Sequence, residues 1–126
     1  MEEFVPKDGL RVDVIGINAK GQIWIIECKS SRVDYISDHK WQNYLPFCDR
    51  FFFAVGRRFA QEILPEDTGL IVADEFGAEI IRFGSELVLP PARRKTIITK
   101  FAINAGERLH HYRENSRSNR FTFLPK

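Results

Sequence analysis

Three residues with the chemistry of a metal site, Asp13, Glu27 and Lys29, lie in a stretch whose pattern predicts a β-hairpin. The segments on either side of residues 19–21 are rich in β-branched side chains, and Gly21 closes the turn where a left-handed conformation is needed. In a hairpin with this three-residue loop, the numbers of facing residues sum to 40, so Asp13 faces Glu27. Facing Cβ atoms are about 5 Å apart, and two carboxylates at that spacing repel each other unless a cation lies between them. A divalent metal ion is therefore one interpretation of this pair.

The same residues also allow a purely structural interpretation. Arg11 faces Lys29 in this register, so the two cations and the two carboxylates can form diagonal ion pairs at a solvated strand end. Each such pair is worth less than about 1 kcal/mol. A Glu-x-Lys tripeptide is common and indicates little by itself. The residue types alone leave both interpretations open.

Period-two alternation gives the hairpin two apolar faces. One face carries the three candidate residues together with Ile15, Ile17, Ile23 and Ile25. The other face carries Val12, Val14, Trp24, Ile26 and Cys28. We therefore expect a sheet that is apolar on both sides.

The segment after the hairpin predicts a helix over residues 33–45, ended by Pro46. Ser30 or Ser31 is placed to cap the start of this helix. The continuous apolar run at residues 51–55 predicts a buried, central strand. Because a helix connects it to the hairpin, this strand is expected to pair in parallel with the second hairpin strand.

The remaining segments have simpler patterns. Residues 1–9 predict a short extended arm, and residues 57–66 predict a loop with at most one helical turn. A second hairpin is expected from strands over residues 69–74 and 78–83. A long helix is expected over residues 92–112. Its apolar stripe consists of Ile97 or Ile98, Phe101, Ala105, Leu109 and Tyr112.

The chain has 126 residues, enough for one domain with a single core. We expect this domain over residues 1–112, followed by a polar, basic tail over residues 113–126. Residues 1–84 carry 10 Lys and Arg against 14 Asp and Glu, a net charge of −4, and residues 85–126 carry 9 against 3, a net charge of +6. A basic C-terminal third suits phosphate contacts and an acidic remainder suits a metal, although simple solvation of the tail explains the same charges.

The cysteines and the apolar content indicate the compartment. Cys28 and Cys48 have neither metal-finger spacing nor a disulfide framework, and we expect two buried free thiols. No apolar run approaches the roughly 18 residues of a membrane span. The N-terminal MEEFVPKD is charged and unlike a signal peptide. These features predict a cytoplasmic protein with no membrane contact.

The hairpin residues also resemble a known signature. Asp13 followed by Glu27-Cys28-Lys29 resembles the PD-(D/E)XK signature of restriction-endonuclease-like nucleases. The longer segment IWIIECKSSRVDYISDHKWQNYLPFCDRFFFAV is similar, more specifically, to the MmcB-type DNA repair proteins. The matching positions are Glu27, Lys29, Ser30, Ser31, Asp38, Lys40, Trp41, Tyr44, Cys48, Asp49 and Arg50. The segments GLIVADEFGAEIIR and LPPARRKTIITKFA also resemble that family, so the resemblance covers about residues 3–112.

This resemblance implies an α/β fold, a restriction-endonuclease-like mixed β-sheet core flanked by helices, lacking most of the N-terminal helix usual before the first strand. It implies a metal-dependent DNA endonuclease that acts in DNA repair and hydrolyses phosphodiester bonds in damaged or branched DNA. The alternative is a non-catalytic accessory factor that binds DNA or a repair protein and retains the nuclease fold. A homodimer would suit an enzyme that cuts both strands.

The resemblance also implies roles for the hairpin residues. Asp13, Glu27 and the backbone carbonyl of Cys28 would bind Mg²⁺ or Mn²⁺, hard ions that prefer oxygen ligands. Lys29 would orient or deprotonate the attacking water and stabilise charge. Cys28 replaces the aliphatic residue usual at this position, which matters little because only its carbonyl is used. Glu3 matches an acidic position of the family and is a further candidate ligand, although its sequence context favours a solvated terminal carboxylate.

Five residues are candidates for contacts with DNA phosphates: Ser30, Lys40, Arg93, Arg94 and Lys95. The last three cluster in the first turn of the predicted C-terminal helix, where positive charge opposes the helix dipole. Helix N-termini attract phosphate, so a bound anion would explain this cluster. A surface lysine such as Lys40 is more often simply solvated.

Overall fold

The computed structural model describes the backbone of residues 1–120 and the side chains of residues 1–117. The strands of this part of the chain are β1 (Glu2–Lys7), β2 (Leu10–Ile17), β3 (Ile23–Lys29), β4 (Arg50–Val55), β5 (Gly69–Asp74) and β6 (Gly77–Arg82). Its α-helices are α1 (Arg32–Ser37) and α2 (Pro91–Arg120), and 3-10 helices cover Trp41–Phe47 and Gln61–Ile63.

The six strands form one mixed sheet in which their spatial order is their order in the chain. β1, β2 and β3 are antiparallel neighbours, and β3, β4 and β5 run parallel. β6 returns antiparallel to β5. The fold is therefore a mixed α/β fold, as predicted, with β1 and β6 at the two edges of the sheet.

β2 and β3 form the predicted hairpin. Val14 faces Ile26 and Ile17 faces Ile23, so the numbers of facing residues sum to 40. The loop turns at Gly21, whose φ of 77° is left-handed and favours glycine. The predicted register is confirmed.

β2 departs from strict alternation beside Asp13. Val12 and Ile15 are both fully buried in the same hydrophobic cluster, although they are three residues apart. Alternation assigns Val12 to the opposite face, so that prediction is wrong. Val12 faces Phe4 of β1, and the deviation lets these two side chains enter the core together.

Both α-helices pack on one face of the sheet. Tyr35 of α1 meets the ring of Phe53 edge-on, with centroids 5.4 Å apart, and Phe101 of α2 lies 6.2 Å from Phe4. The opposite face of the sheet carries an aromatic group made of Trp24, Phe52 and Phe83. The central strands are therefore apolar on both faces, as predicted.

The predicted helix over residues 33–45 is divided into two shorter segments. α1 ends at Ser37, Asp38 is extended, and the 3-10 helix Trp41–Phe47 follows. The break lies at Asp38, because its Oδ1 accepts the backbone N–H of Lys40 at 2.7 Å and so stabilises a turn. The helix prediction is wrong at this point.

The other strands agree closely with the sequence. β4 pairs in parallel with β3, and β5 and β6 form the second hairpin. The 3-10 helix Gln61–Ile63 lies in the predicted loop. The opening residues differ from the expected arm, because Glu2–Lys7 pair with β2 as an edge strand. The amino group of Met1 also donates to the carbonyl of Ile15 at 2.7 Å.

α2 is longer than predicted, since it runs to Arg120 and the sequence predicts an end near residue 112. Ile97 is fully buried, whereas Leu109 and Tyr112 of the predicted stripe are at least half exposed. Residues 113–120 of the predicted tail are helical, and residues 121–126 lie outside the described part of the chain. No helix among the described residues has the length and apolar content to cross a membrane.

Only one of the two cysteines is buried. Cys48 lies in the core, where burial and then the charge of Asp49 raise the pKa of its thiol to about 12. Cys28 is exposed, because it lies near the carboxyl end of β3 on the face that the helices leave uncovered. The prediction of two buried thiols is therefore wrong for Cys28.

Arg94 and Asp49 join the start of α2 to the sheet. The guanidinium of Arg94 donates to both carboxylate oxygens of Asp49, at 2.6 and 2.7 Å, and to the carbonyl of Gly21 at 3.0 Å. Asp49 also accepts the backbone N–H of Ile23 at 2.7 Å. The bond from Arg94 holds the pKa of Asp49 below its ordinary value. The Arg94 guanidinium, predicted to contact phosphate, is thus engaged within the protein.

We expect Arg94→Gln to lower the free energy of unfolding by about 2 kcal/mol or more, because it leaves the charge of the buried Asp49 without its partner. Lys95→Gln is the matched control: it removes the same charge one residue later from an exposed side chain, and should change stability by less than about 0.5 kcal/mol. Urea unfolding measures both variants. Equal stabilities would show that the Arg94–Asp49 pair does not hold α2 in place.

Candidate active site

The candidate site lies where β2 and β3 separate. Backbone pairing extends from the turn as far as Val14 and Ile26. Beyond it, the N–H of Asp13 donates to Glu27 Oε1 at 3.0 Å, and the N–H of Cys28 donates to Asp13 Oδ2 at 2.9 Å. Each carboxylate therefore accepts a hydrogen bond from the opposite strand. Asp13 and Glu27, called the carboxylate pair below, lie side by side as the register predicts.

One oxygen of each carboxylate remains free of hydrogen bonds from the described residues, namely Asp13 Oδ1 and Glu27 Oε2. Glu27 is only 5% exposed. Burial raises the pKa of Glu27 to about 7; the N–H of Asp13 opposes this rise and the charge of Asp13 adds to it. The charge of Lys29 is a smaller effect that opposes the rise, so Glu27 remains hard to ionise in this buried position.

The nearby cations bind other carboxylates. Lys29 Nζ donates to Asp38 Oδ2 at 2.6 Å, and Arg11 Nε lies 2.8 Å from Glu3 Oε2. Within the described chain, neither cation forms an ion pair with the carboxylate pair. The diagonal ion-pair arrangement that the sequence left open is thus not formed.

Lys29 lies two residues after Glu27 and is 8% exposed. Burial lowers the pKa of Lys29, but the hydrogen bond and charge of Asp38, followed by the charges of Asp34 and Glu27, outweigh it, so this pKa lies above its ordinary value. Burial raises the pKa of Asp38, but the hydrogen bonds from Lys29 and from the N–H of Lys40 outweigh it and hold this pKa below its ordinary value. Both members of this pair therefore carry their charges at neutral pH.

The sequence did not predict Asp38 as the partner of Lys29, although a local signal exists. The N–H of Asp34 donates to Ser31 Oγ at 3.1 Å, which confirms the predicted cap and fixes where α1 begins. A helix of less than two turns then returns the chain to the end of β3. A short capped helix followed by Asp-x-Lys is therefore the pattern that could have identified Asp38.

Tyr44, one of the positions that match the family, also borders the site. Its hydroxyl donates to the carbonyl of Arg11 at 3.1 Å. Burial raises the pKa of Tyr44, and the charges of Glu27, Asp38 and then Asp13 raise it further, which places this phenol beside the acidic groups. Tyr44 is therefore a core residue whose hydroxyl also contacts the main chain next to the site.

Glu3 does not join the carboxylate pair. It is exposed on β1 and bound to Arg11. The described residues contain no group of three or more His, Cys, Asp or Glu side chains that could hold a metal. The oxygen donors that remain for a metal are the two carboxylates and the backbone carbonyl of Cys28.

Ser30 and Lys40, two of the predicted phosphate contacts, lie near the site. The N–H and Oγ of Ser30 both donate to Asp34 Oδ2, at 2.9 and 3.2 Å. Lys40 is exposed, two residues after Asp38. A cavity of about 330 Å³ adjoins this region at the carboxyl ends of β3, β4 and β5, and Lys29 and Ser30 are among its lining residues. Ligands of α/β sheets commonly bind at this end.

The other three predicted phosphate contacts lie farther away. Arg94 is anchored near Ile23, and Glu27 is four residues farther along β3, about 13 Å away at the usual rise of a strand. Arg93 donates to the carbonyl of Pro46 at 3.1 Å and lies over the Phe47 ring. Lys95 is exposed on α2. The structure does not bring this basic cluster to the carboxylate pair.

Comparison with known proteins agrees with the resemblance seen in the sequence. The family model described as DNA repair protein MmcB-like matches residues 1–116. The chain belongs to the MmcB-like DNA repair protein family. The carboxylate pair, Lys29 and Asp38 all lie within the matched range. None of the curated proteins matches the chain significantly.

A solved structure supports the fold. It is described as the SPO1766 protein of unknown function from Silicibacter pomeroyi, and it is 54% identical to the chain with a TM-score of 0.88. The match covers 92% of this chain and 80% of the other. The family relationship therefore extends over the sheet and the site together.

We expect Glu27→Gln to stabilise the metal-free protein at pH 8 by about 1–3 kcal/mol, because the raised pKa of Glu27 means that folding opposes its ionisation. The stability of the wild type falls as the pH rises from about 4.5 to about 7, so the advantage of the variant should vanish near pH 4.5. Urea unfolding in EDTA at both pH values measures this difference.

Glu62→Gln provides the control, because it removes an exposed carboxylate from the 3-10 turn. Its effect should stay below about 0.5 kcal/mol at both pH values. A Glu27→Gln variant that is less stable than the wild type at pH 8 would contradict the assigned burial of this charge.

Proposed function

We propose that the chain is a metal-dependent DNA endonuclease of the PD-(D/E)XK, restriction-endonuclease-like superfamily that hydrolyses phosphodiester bonds of damaged or branched DNA. The observation that carries the proposal is the carboxylate pair, whose two acids lie side by side and form no ion pair with a cation of the described residues, while Asp38 holds the ammonium of Lys29 near the same strand end. Membership of a DNA repair family supports DNA as the substrate.

The residues present fit a divalent ion. Asp13 and Glu27 each keep one oxygen free of hydrogen bonds from the described residues, and carboxylate and carbonyl oxygens are the ligands that Mg²⁺ and Mn²⁺ prefer. Burial is the main cause of the raised pKa of Glu27, and a bound cation would favour its charged form. Asp13, Glu27 and the carbonyl of Cys28 would hold the ion. When bound, it supplies Lewis-acid chemistry by offsetting the charge that develops on the scissile phosphate.

Lys29 supplies the other charge that phosphodiester hydrolysis needs. Its ammonium has three N–H donors, of which Asp38 accepts one. A second donor can bind a phosphate oxygen or orient the attacking water. The hydrogen bond and charge of Asp38 hold the pKa of Lys29 above its ordinary value, which favours its charged, donating form. Ser30, directly after β3, and the exposed Lys40 would contact neighbouring phosphates in this proposal.

A non-catalytic accessory factor is the second candidate. The observation that favours it is the internal engagement of basic residues: Arg94 binds Asp49 and Arg93 binds Pro46, so two cations of the predicted phosphate-binding cluster are partly used in holding the fold. In that case the chain would bind DNA, or a repair protein, without cutting.

We expect purified protein to nick DNA in Mg²⁺ or Mn²⁺ and to be inactive in EDTA, with Asp13→Asn, Glu27→Gln and Lys29→Met each lowering the rate by about 100-fold or more. The amide variants keep an oxygen that accepts the backbone N–H, so they test charge and not folding. A panel of branched, flapped, single-stranded and duplex DNAs separates the substrates. Cutting of both strands of a duplex in one binding event, with no nicked intermediate, would support a homodimer.

Glu62→Gln, an exposed carboxylate outside the site, should retain the wild-type rate. Wild-type protein that binds these DNAs but cuts none of them with either metal would rule out the endonuclease and leave the accessory factor. Activity that survives Asp13→Asn and Glu27→Gln would place the chemistry elsewhere.

A further inference from the structure

Several carboxylates lie near the ammonium of Lys29, and it forms a hydrogen bond with one of them. Its Nζ donates to Asp38 Oδ2 at 2.6 Å, although Glu27 lies two residues away along the same face of β3. Both side chains of the Lys29–Asp38 pair are largely buried, with 8% and 13% exposure. Glu27 and Asp13 form no ion pair with Lys29.

Asp38 is fixed in place independently of Lys29. Its other oxygen, Oδ1, accepts the backbone N–H of Lys40 at 2.7 Å, in the turn between α1 and the 3-10 helix Trp41–Phe47. A carboxylate held by its own chain in this way is a rigid acceptor, and little entropy is lost when an ammonium binds it. The turn therefore holds the carboxylate of Asp38 in position to accept a hydrogen bond from Lys29.

We propose that Asp38 is a positioning residue that holds the ammonium of Lys29 away from Asp13 and Glu27, so that their free oxygens remain available to a divalent cation. This inference rests on the proposed metal site. Without Asp38, the carboxylates left near the buried ammonium are Asp34, whose Oδ2 already accepts the N–H and Oγ of Ser30, and Glu27 of the carboxylate pair. A buried ammonium cannot remain unpaired at low cost, so Lys29 would turn to the free Oε2 of Glu27 and compete with the metal.

A purely stabilising ion pair predicts something different. If Asp38 only stabilised the fold, its loss would leave Lys29 without a fixed partner, and the loss of Lys29 as well would relieve the unpaired buried charge. If Asp38 keeps Lys29 off the carboxylate pair, the ammonium moves onto that pair in Asp38→Asn, and removing Lys29 removes the competitor. The carboxylate that Lys29 contacts in Asp38→Asn therefore separates the two roles, and the double variant tests the competition.

The test measures Mn²⁺ affinity by calorimetry, in the absence of DNA, for wild type, Asp38→Asn, Asp38→Glu, Lys29→Met and Lys29→Met/Asp38→Asn. We expect Asp38→Asn to weaken Mn²⁺ binding by about 10-fold or more. Asp38→Glu should recover part of this loss, and the double variant should regain at least the wild-type affinity. A double variant as weak as Asp38→Asn would overturn the proposal.

Asp74→Asn is the matched control, since Asp74 also forms an ion pair at a strand end, 2.7 Å from Arg57, but outside the site. Its Mn²⁺ affinity should equal that of the wild type. A wild type that binds Mn²⁺ but cuts no DNA would defeat the nuclease and leave this test intact.

A second measurement does not depend on metal. Through-hydrogen-bond NMR couplings from Lys29 Nζ identify its carboxylate partner directly. We expect coupling to Asp38 in the wild type and to Glu27 or Asp13 in Asp38→Asn. A wild type that binds no Mn²⁺ would overturn the metal site and this proposal together. If the wild type binds Mn²⁺, a Lys29 that couples to neither residue of the carboxylate pair in Asp38→Asn would overturn the proposal alone.

Discussion

The buried carboxyl of Glu27, placed beside Asp13 without a bonded cation, is the constraint on which the site depends. Burying a charged group is costly unless hydrogen bonds or an opposite charge compensate it. Here the compensation comes from backbone N–H groups, because each carboxylate accepts one from the opposite strand. The separation of two paired strands would otherwise leave those N–H groups unbonded, at a cost of its own. The same two hydrogen bonds therefore satisfy the backbone N–H groups and compensate part of the cost of burying the carboxylates.

Several features of the fold follow from this separation of β2 and β3. Alternation along β2 is interrupted next to Asp13, which brings Val12 into the core beside Phe4. The carboxyl end of β3 is left next to α1, and the turn after α1 carries Asp38 to Lys29. The sheet thus supplies the acids, and the first connection after it supplies the group that holds the lysine. Everything at the site other than Tyr44 and the main chain of Arg11 comes from residues 13–40.

Local sequence was sufficient where local rules decide the structure. The loop length and Gly21 set the hairpin register, and the register alone brought Asp13 to Glu27. Local sequence was not sufficient where a residue's partner is distant in the chain, or where a side-chain hydrogen bond to the backbone overrides helix propensity. Arg94 looked like a phosphate ligand because its partner Asp49 is 45 residues away. The amphipathic pattern after Ser31 concealed the turn that Asp38 makes, because a side-chain bond to the backbone is invisible to periodicity.

The chemical identity of the carboxylate pair favours function over structure. Asparagine and glutamine would accept the same backbone N–H bonds through their amide oxygens without any repulsion between charges. Two acids add an electrostatic cost that grows as Glu27 ionises; the charge of Lys29 offsets part of it, but no cation within the described chain forms an ion pair with either acid. The cations that could have done so, Arg11 and Lys29, are bound by Glu3 and Asp38. Unfavourable arrangements such as two neighbouring carboxylates concentrate at functional sites, where a bound ligand can compensate their charge. The proposed divalent ion combines positive charge with a preference for oxygen ligands, which two neighbouring carboxylates satisfy.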